Sequence, residues 1–338
     1  MACSVIPMMP HEMFCPAASA APPHQRMRAS VPAVAAPAPE ELRLSDLFWI
    51  ADLGEGGFAR VCKARHCRTG AVFALKLSFD PDPLVAEKEA KVLARAAGAP
   101  HVVDFHALLR GPGGKAVFVL EYVDAGSLDR LLLLRRRRGL VGGIPEAALA
   151  EVAAQCVVAL AQLHSRGVAH LDVKPDNLLA SARGEIKISD FNLSRILYGG
   201  SGERLLVPIT GGTRAYFSPE RFAPNAHAGP HGAMAADVWG LGVTVLELFL
   251  GRRAILPGVE KAYVEEIEQA VCDGEPPSVP PEDAEASAEL RGFVAACLQK
   301  EPTRRATVPQ LLSHPFLTRR DVEASRSALR EIINETLL

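Results

Sequence analysis

Between residues 45 and 123 apolar positions alternate with polar ones in short runs, at 48–53, 59–65 and 71–77, broken by glycine at 54, 56, 57 and 70. A period of two sends successive side chains to opposite faces, so these runs predict strands. One stretch departs from that period. Across 84–97, Val85, Lys88/Glu89 and Val92/Leu93 step by three and four, which predicts a helix. Two more strands are predicted at 102–109 and 115–122, joined by Gly111-Pro112-Gly113-Gly114. Past Ser127 the pattern becomes mainly helical. Pro145 opens a long helix in which Leu149, Val152, Cys156, Leu160 and Leu163 share a face, and Gly167 lies just past its end. Further helices are predicted at 236–250, 261–272, 286–299 and 308–312, and the spacing of Val322, Leu329, Ile332 and Ile333 predicts a tail helix packed on the larger lobe. The expected class is α+β: a small β-rich lobe with one main helix, then a larger, mostly helical lobe, without internal repeats.

Composition narrows the partners. With 338 residues, 49% of them apolar, the chain can bury a sizeable core in one large domain or two lobes. Thirty-seven basic against thirty-nine acidic residues argue against nucleic acid or an anionic membrane as partner. No apolar run reaches the ~18 residues that span a bilayer. Leu131 to Leu134 ends at Arg135-Arg136-Arg137-Arg138, which reads as a solvated loop between helices in preference to a nuclear signal or docking patch. The first forty residues hold eight prolines and ten alanines and predict a disordered arm over 1–43, without the basic start and apolar stretch of a secretory signal. Seven scattered cysteines, an odd number, fit reduced intracellular thiols, and Cys62 and Cys67 lack the companions a zinc site needs.

Three constellations carry chemistry. Gly54-Glu55-Gly56-Gly57-Phe58-Ala59-Arg60-Val61 is a glycine-rich turn between strands, where backbone amides can approach phosphate oxygens. No helix follows it and the Gly-Lys-Ser/Thr ending is absent, so neither a dinucleotide fold nor a P-loop is indicated. Lys76 closes the apolar strand Val72-Phe73-Ala74-Leu75, and Glu89 on the next helix offers it a partner. In His170-Leu171-Asp172-Val173-Lys174-Pro175-Asp176-Asn177-Leu178-Leu179 a loop presents several polar groups between apolar brackets. An aspartate there can accept a proton from a hydroxyl, a lysine can steady a transferring phosphoryl group and an asparagine can hold a metal ion. Thirteen residues beyond Asn177, after a strand at 185–189, comes Asp190-Phe191-Asn192, a carboxylate suited to magnesium.

With these motifs in place, the chain resembles the eukaryotic protein kinase family from about Leu44 to Leu317. The resemblance implies a two-lobed fold (44–123 and 124–317, with 318–338 as a helical tail) that uses ATP and Mg²⁺. By motif match, Gly54, Glu55, Gly56, Gly57 and Val61 would cover the nucleotide, with Ala74 and Leu179 beside it. Lys76, paired to Glu89, would hold the α- and β-phosphates. Leu120 would be the gatekeeper, with Glu121 to Val123 contacting adenine. Asp172 would be the catalytic base, Lys174 the phosphate-stabilising lysine, and Asn177 and Asp190 the metal ligands. Glu220 of Ser218-Pro219-Glu220 would pair with a buried Arg305, and Asp237 would brace the catalytic loop. Within the family, Gly212-Thr213-Arg214-Ala215-Tyr216-Phe217-Ser218-Pro219-Glu220-Arg221, Asp124 to Asp129 and Ser313-His314-Pro315-Phe316 are similar to plant mitogen-activated protein kinase kinases. That resemblance implies phosphorylation of Thr and Tyr in the Thr-x-Tyr loop of a downstream mitogen-activated protein kinase. It also implies an upstream kinase, and a place in the cytoplasm with the nucleus as a second compartment. A scaffold lacking phosphoryl transfer and a general serine/threonine kinase are the alternatives.

Three departures from the pattern matter. Leu171 stands where an arginine usually receives a loop phosphate. Leu205 and Ile209 stand eight and four residues before Thr213, where this group is usually phosphorylated, leaving Ser201 and Thr210 nearby. Together they predict a kinase not switched by ordinary loop phosphorylation. Asn192 and Ala59 replace glycines; asparagine tolerates positive φ, so the magnesium aspartate is expected to be presented still. Arg26-Met27-Arg28 with Val31 and Val34 faintly resembles the basic-then-hydrophobic docking sequence of these kinases.

Overall fold

The computed structural model describes residues 42–140, 142–197, 212–222, 230–259 and 262–337. The chain forms two compact units, one running to Ala90 and resuming over Asp104–Tyr122, the other comprising Lys91–Val103 and Val123 onward.

The first unit is a five-stranded antiparallel sheet. Strands β1 (Leu47–Glu55), β2 (Ala59–His66), β3 (Val72–Ser78), β4 (Phe105–Arg110) and β5 (Ala116–Glu121) lie in the order β1-β2-β3-β5-β4. Their inward positions, among them Leu47, Cys62, Ala64, Phe73, Leu75, Val117 and Val119, form one core. Burial there pushes the Cys62 thiol up to about 11. Helix α1 (Pro83–Ala96) starts where the Asp82 carboxylate accepts the Leu84 N–H at 2.9 Å. The strand expected at 102–109 begins only at Phe105. Residues 91–103, which the sequence places in the small lobe, cluster with the second unit because Val103 N–H donates to Ile188 O at 3.0 Å and Val102 bridges the same residue.

On β4, the His106 imidazole packs edge-on against Phe73, with centroids 5.0 Å apart. Burial lowers its pKa, outweighing the opposite pull of Asp104 and Glu121. A histidine depressed in the folded state contributes stability above the unfolded value near 6.5 and loses it as pH falls below that value. Between pH 7 and 5.5, the Tm of the protein is therefore expected to fall more steeply than that of His106→Phe. Parallel Tm curves would contradict this.

The second unit is built on two buried helices, α3 (Glu146–Ser165) and α4 (Pro230–Leu250). The face predicted for α3 is buried, and so are Ala148, Ala153, Val157 and Ala159, which makes the helix apolar nearly all round. By length and composition both α3 and α4 could cross a membrane, contrary to the sequence expectation. Their apolar windows are 72% and 78% buried inside the protein, as core helices are. Around them lie β6 (Gly126–Ser127), α2 (Leu128–Arg137), β7 (Val168–Ala169), β8 (Leu178–Ala180), β9 (Ile186–Ile188), β10 (Arg195–Ile196), α5 (Val264–Cys272), α6 (Ala288–Cys297), α7 (Val308–Leu312), α8 (Pro315–Thr318) and α9 (Val322–Leu337). Helix α5 starts three residues later than predicted, because Glu266 accepts the Tyr263 N–H at 2.7 Å and fixes the cap there.

The arginine run is not a loop. Arg135 to Arg137 form the last turn of α2, where cations suit the helix C-terminus. Arg138 donates to Glu335 O at 2.6 Å, and Arg135 lies 3.9 Å from the Glu335 carboxylate. The run thus meets α9, whose Leu329, Ile332 and Ile333 are buried as expected while Val322 is exposed. On α3, the buried Glu151 carboxylate accepts from Arg320 and Arg326, fastening the start of α9 and the residues before it.

Candidate active site

In the first unit the nucleotide candidates fall on β1, β2, β3 and β5. Residues 56–58 turn between β1 and β2, closed by Gly56 N–H donating to Ala59 O at 2.9 Å. A Cβ added at Gly54, Gly56 or Gly57 would meet nothing within 4 Å. Packing inside the protein therefore does not demand glycine there, whereas close approach by an outside ligand would. Ala59 is the first residue of β2, buried and paired with Ser78, so its methyl group is accommodated. Lys76 and Glu89 are both buried, with Nζ 2.6 Å from Oε1. Ala74 faces Leu120 across β3 and β5, and both are buried. The Glu121 backbone is tied to Asp104, its N–H donating to Asp104 O at 2.9 Å.

In the second unit the loop at 170–177 is held from several sides. Asp237 on α4 is buried, and its two oxygens accept the N–H groups of His170 (2.9 Å) and Leu171 (2.6 Å). These bonds hold Leu171 at φ 66, a left-handed conformation that costs a non-glycine residue about 1–2 kcal/mol. His164 adds a third contact to Asp237 at 2.8 Å. The His170 Nδ1 accepts the Asp172 N–H, which leaves Nε2–H to donate to Ser189 O at 3.0 Å and fixes the tautomer.

The Asp172 carboxylate is nearly buried. Its Oδ2 lies 2.9 Å from the Lys174 ammonium and accepts from the Asn177 amide at 2.8 Å. Lys174 also donates to the Thr213 hydroxyl at 2.9 Å. Next to them, Gly212 has φ 112, and a Cβ there would lie 2.8 Å from Leu193 Cδ1 and 3.4 Å from Asp172 Oδ1. Ser189 N–H and Oγ–H both donate to Asn177 O, at 2.9 and 3.0 Å, so Asn177 and Asp190 are tied together by backbone. With its amide nitrogen engaged by Asp172, Asn177 has its amide oxygen as a remaining acceptor, and Asp190, tied to it through Ser189, brings a carboxylate. Such hard oxygens fit Mg²⁺. Val123 is buried and Leu179 half-buried, in β8 opposite Lys187.

The structure corrects one expectation about the departures. Asn192 does not take positive φ; the left-handed residue is Asp190, at φ 62, so position 192 has no special need of glycine. Leu205, Ile209, Ser201, Thr210 and the Arg26–Arg28 motif lie outside the described residues.

Sequence reasoning gave no role to His164, His170, Thr213 or Arg221. Arg221 donates to Leu171 O at 2.7 Å and stacks on Phe217, with its guanidinium carbon 3.6 Å from the ring centroid. Burial lowers its pKa to about 10, against the raising effect of Asp172, Asp237 and Glu220. A cation therefore does sit beside position 171, supplied from Arg221 and not from the loop itself. The signal was an arginine directly after the Glu220 that Arg305 neutralises.

Comparison with known proteins shows the family. Residues 49–317 match the model of the protein kinase domain. The chain is 38% identical over 272 residues to mitogen-activated protein kinase kinase 9 of Arabidopsis thaliana, covering 78% of this chain and 82% of that protein. It is 36% identical to mitogen-activated protein kinase kinase 7 of the same plant, over 81% of this chain and 85% of the relative. Against the dual specificity mitogen-activated protein kinase kinase dSOR1 of Drosophila melanogaster it is 32% identical, over 84% and 73% of the two chains.

Proposed function

Because the chain belongs to the mitogen-activated protein kinase kinase group of the protein kinase family, we propose that it transfers the γ-phosphoryl group of ATP to the Thr and Tyr of a Thr-x-Tyr loop in a mitogen-activated protein kinase. That it is a phosphotransferase follows from the family; the acceptor residues, the partner kinase and the cytoplasmic setting are our reading. The observation that carries it is the Asp172 carboxylate, shared between the Lys174 ammonium and the Asn177 amide, with Lys174 also on Thr213.

Each residue then has a task. Asp172 orients the acceptor hydroxyl and takes its proton as the oxygen attacks phosphorus. Lys174 stands 2.9 Å from that carboxylate, where it can balance charge gathering on the phosphoryl oxygens. Asn177 and Asp190 would hold Mg²⁺, which supplies neutralisation of the phosphate charge when bound. Lys76, set by Glu89, would hold the α- and β-phosphates, while the open glycine turn offers backbone N–H groups. Positioning and electrostatics do most of the work.

Control is also part of the proposal. With Leu205 and Ile209 where this group carries its phosphates, and Leu171 in place of the loop's own arginine although Arg221 brings a cation beside it, activity should not depend on ordinary loop phosphorylation. A phosphopeptide map showing regulated, stoichiometric phosphate on Ser201 or Thr210 would sink that part. The catalytic part is tested by Mg-ATP assays on a panel of catalytically dead mitogen-activated protein kinases, with generic peptides in parallel. Phosphate on the folded kinases supports it. Preference for generic peptides would indicate a general serine/threonine kinase, and silence from folded protein a scaffold.

A further inference from the structure

A charged cluster borders the catalytic loop and takes no part in the chemistry above. Asp176 lies two residues past Lys174 and is exposed as a whole, although its carboxyl is crowded. Burial raises its pKa first and repulsion from Asp129 second, beyond what Lys174 and Arg253 restore. Glu247, on α4, is buried; its Oε2 accepts from the Tyr216 hydroxyl at 2.6 Å and its Oε1 from Ala254 N–H at 2.9 Å. Arg253, just beyond α4, reaches into this group. Its Nη1 donates to Tyr216 Oη at 2.6 Å and lies 3.6 Å from Glu247 Oε2, while half of the side chain stays open to solvent. Burial pulls the guanidinium down, but Tyr216, Glu247, Asp176 and Asp129 outweigh it and hold the pKa above its ordinary value.

The path of an acceptor hydroxyl to Asp172 and Lys174 ends at the loop that also carries Asp176. Tyr216 follows by three residues the Thr213 that Lys174 holds. Carboxylates beside such a path would attract an arginine or lysine of the substrate, unless a cation already stood among them. Here one does. We propose that Arg253 is a specificity-determining residue: its guanidinium, resident among Asp129, Asp176 and Glu247, takes the place of a basic substrate side chain, so the enzyme does not select for basic residues near the acceptor. The inference rests on protein kinase activity alone, whichever protein is the natural substrate.

The test uses the full-length protein, wild type and Arg253→Gln, Arg253→Lys and the pair Arg253→Gln/Asp176→Asn. Glutamine keeps a donor for Tyr216 while removing the charge; lysine keeps the charge. Substrates are forms of a folded protein that the enzyme phosphorylates in the Mg-ATP assays, differing only by Arg or Ala at each of several positions before the acceptor, and the readout is the Arg-to-Ala ratio of kcat/KM. That ratio does not respond to a merely structural loss of active enzyme. Wild type and Arg253→Lys should show a ratio near one. Arg253→Gln should favour arginine about tenfold at one position, the equivalent of one charge-assisted hydrogen bond, and the double variant should lose the gain. A wild type that already prefers arginine, or equal ratios in all variants, overturns the assignment.

Discussion

Replacing Asp172 by asparagine is expected to lower kcat on any protein substrate by about 10²–10⁴-fold, the range lost when a positioned general base is removed. The exchange keeps the shape of the side chain and removes its charge. Lys174 loses the partner 2.9 Å away, and no carboxylate is left to take the hydroxyl proton. The loop itself should survive, because Asp237, through the N–H groups of His170 and Leu171, holds the backbone without the Asp172 side chain. The measurement is steady-state kinetics with a Tm check: kcat falls, the KM for ATP moves little, and Tm stays close to that of wild type. An active Asp172→Asn enzyme would mean that another group takes the proton.

The second large effect concerns stability. Arg305 is fully buried and makes a two-pronged pair with Glu220, Nη1 to Oε1 at 2.7 Å and Nη2 to Oε2 at 2.9 Å. Its other donors meet the carbonyl oxygens of Gln299, Ala235 and Lys300, and its guanidinium lies 5.2 Å from the Trp239 ring centroid. Removing one charge leaves the other buried and unpaired, which costs about 3–5 kcal/mol. Glu220→Gln and Arg305→Met should each lower unfolding stability by about that amount. The double change should recover part of the loss, since two neutral groups need no ion partner. Urea titration of the full chain decides this; a loss under about 1 kcal/mol for either single change would class the pair with solvent-exposed bridges.

Much of this site was legible because its chemistry is carried by residue type at fixed spacing. Asp172, Lys174 and Asn177 lie within six residues, and a polar loop between apolar brackets has few other ways to fold. The structure brings them into one hydrogen-bonded set. Lys76 and Glu89 were readable as a pair because a lysine ending a buried strand must find an anion, and the next helix offers one. What the sequence hid depends on contacts far along the chain. The cation beside Leu171 comes from fifty residues away, and the one among Asp176 and Glu247 comes from beyond the end of α4. The same holds for the arginine run, whose helical end is stabilised by α9, nearly two hundred residues later. Short elements such as β6, β7 and β10 are two residues long and leave no periodic trace. The positive φ falls at Asp190, two residues before the position where a glycine is replaced, and no residue type marks it there.

The most direct measurement is mass-spectrometric mapping of phosphate on a catalytically dead mitogen-activated protein kinase after incubation with Mg-ATP and this protein, with Asp172→Asn alongside. The predicted result is phosphate on both the Thr and the Tyr of the Thr-x-Tyr loop, present with wild type and missing with the variant. Phosphate confined to other serines and threonines, or equal amounts with both proteins, would contradict the assignment.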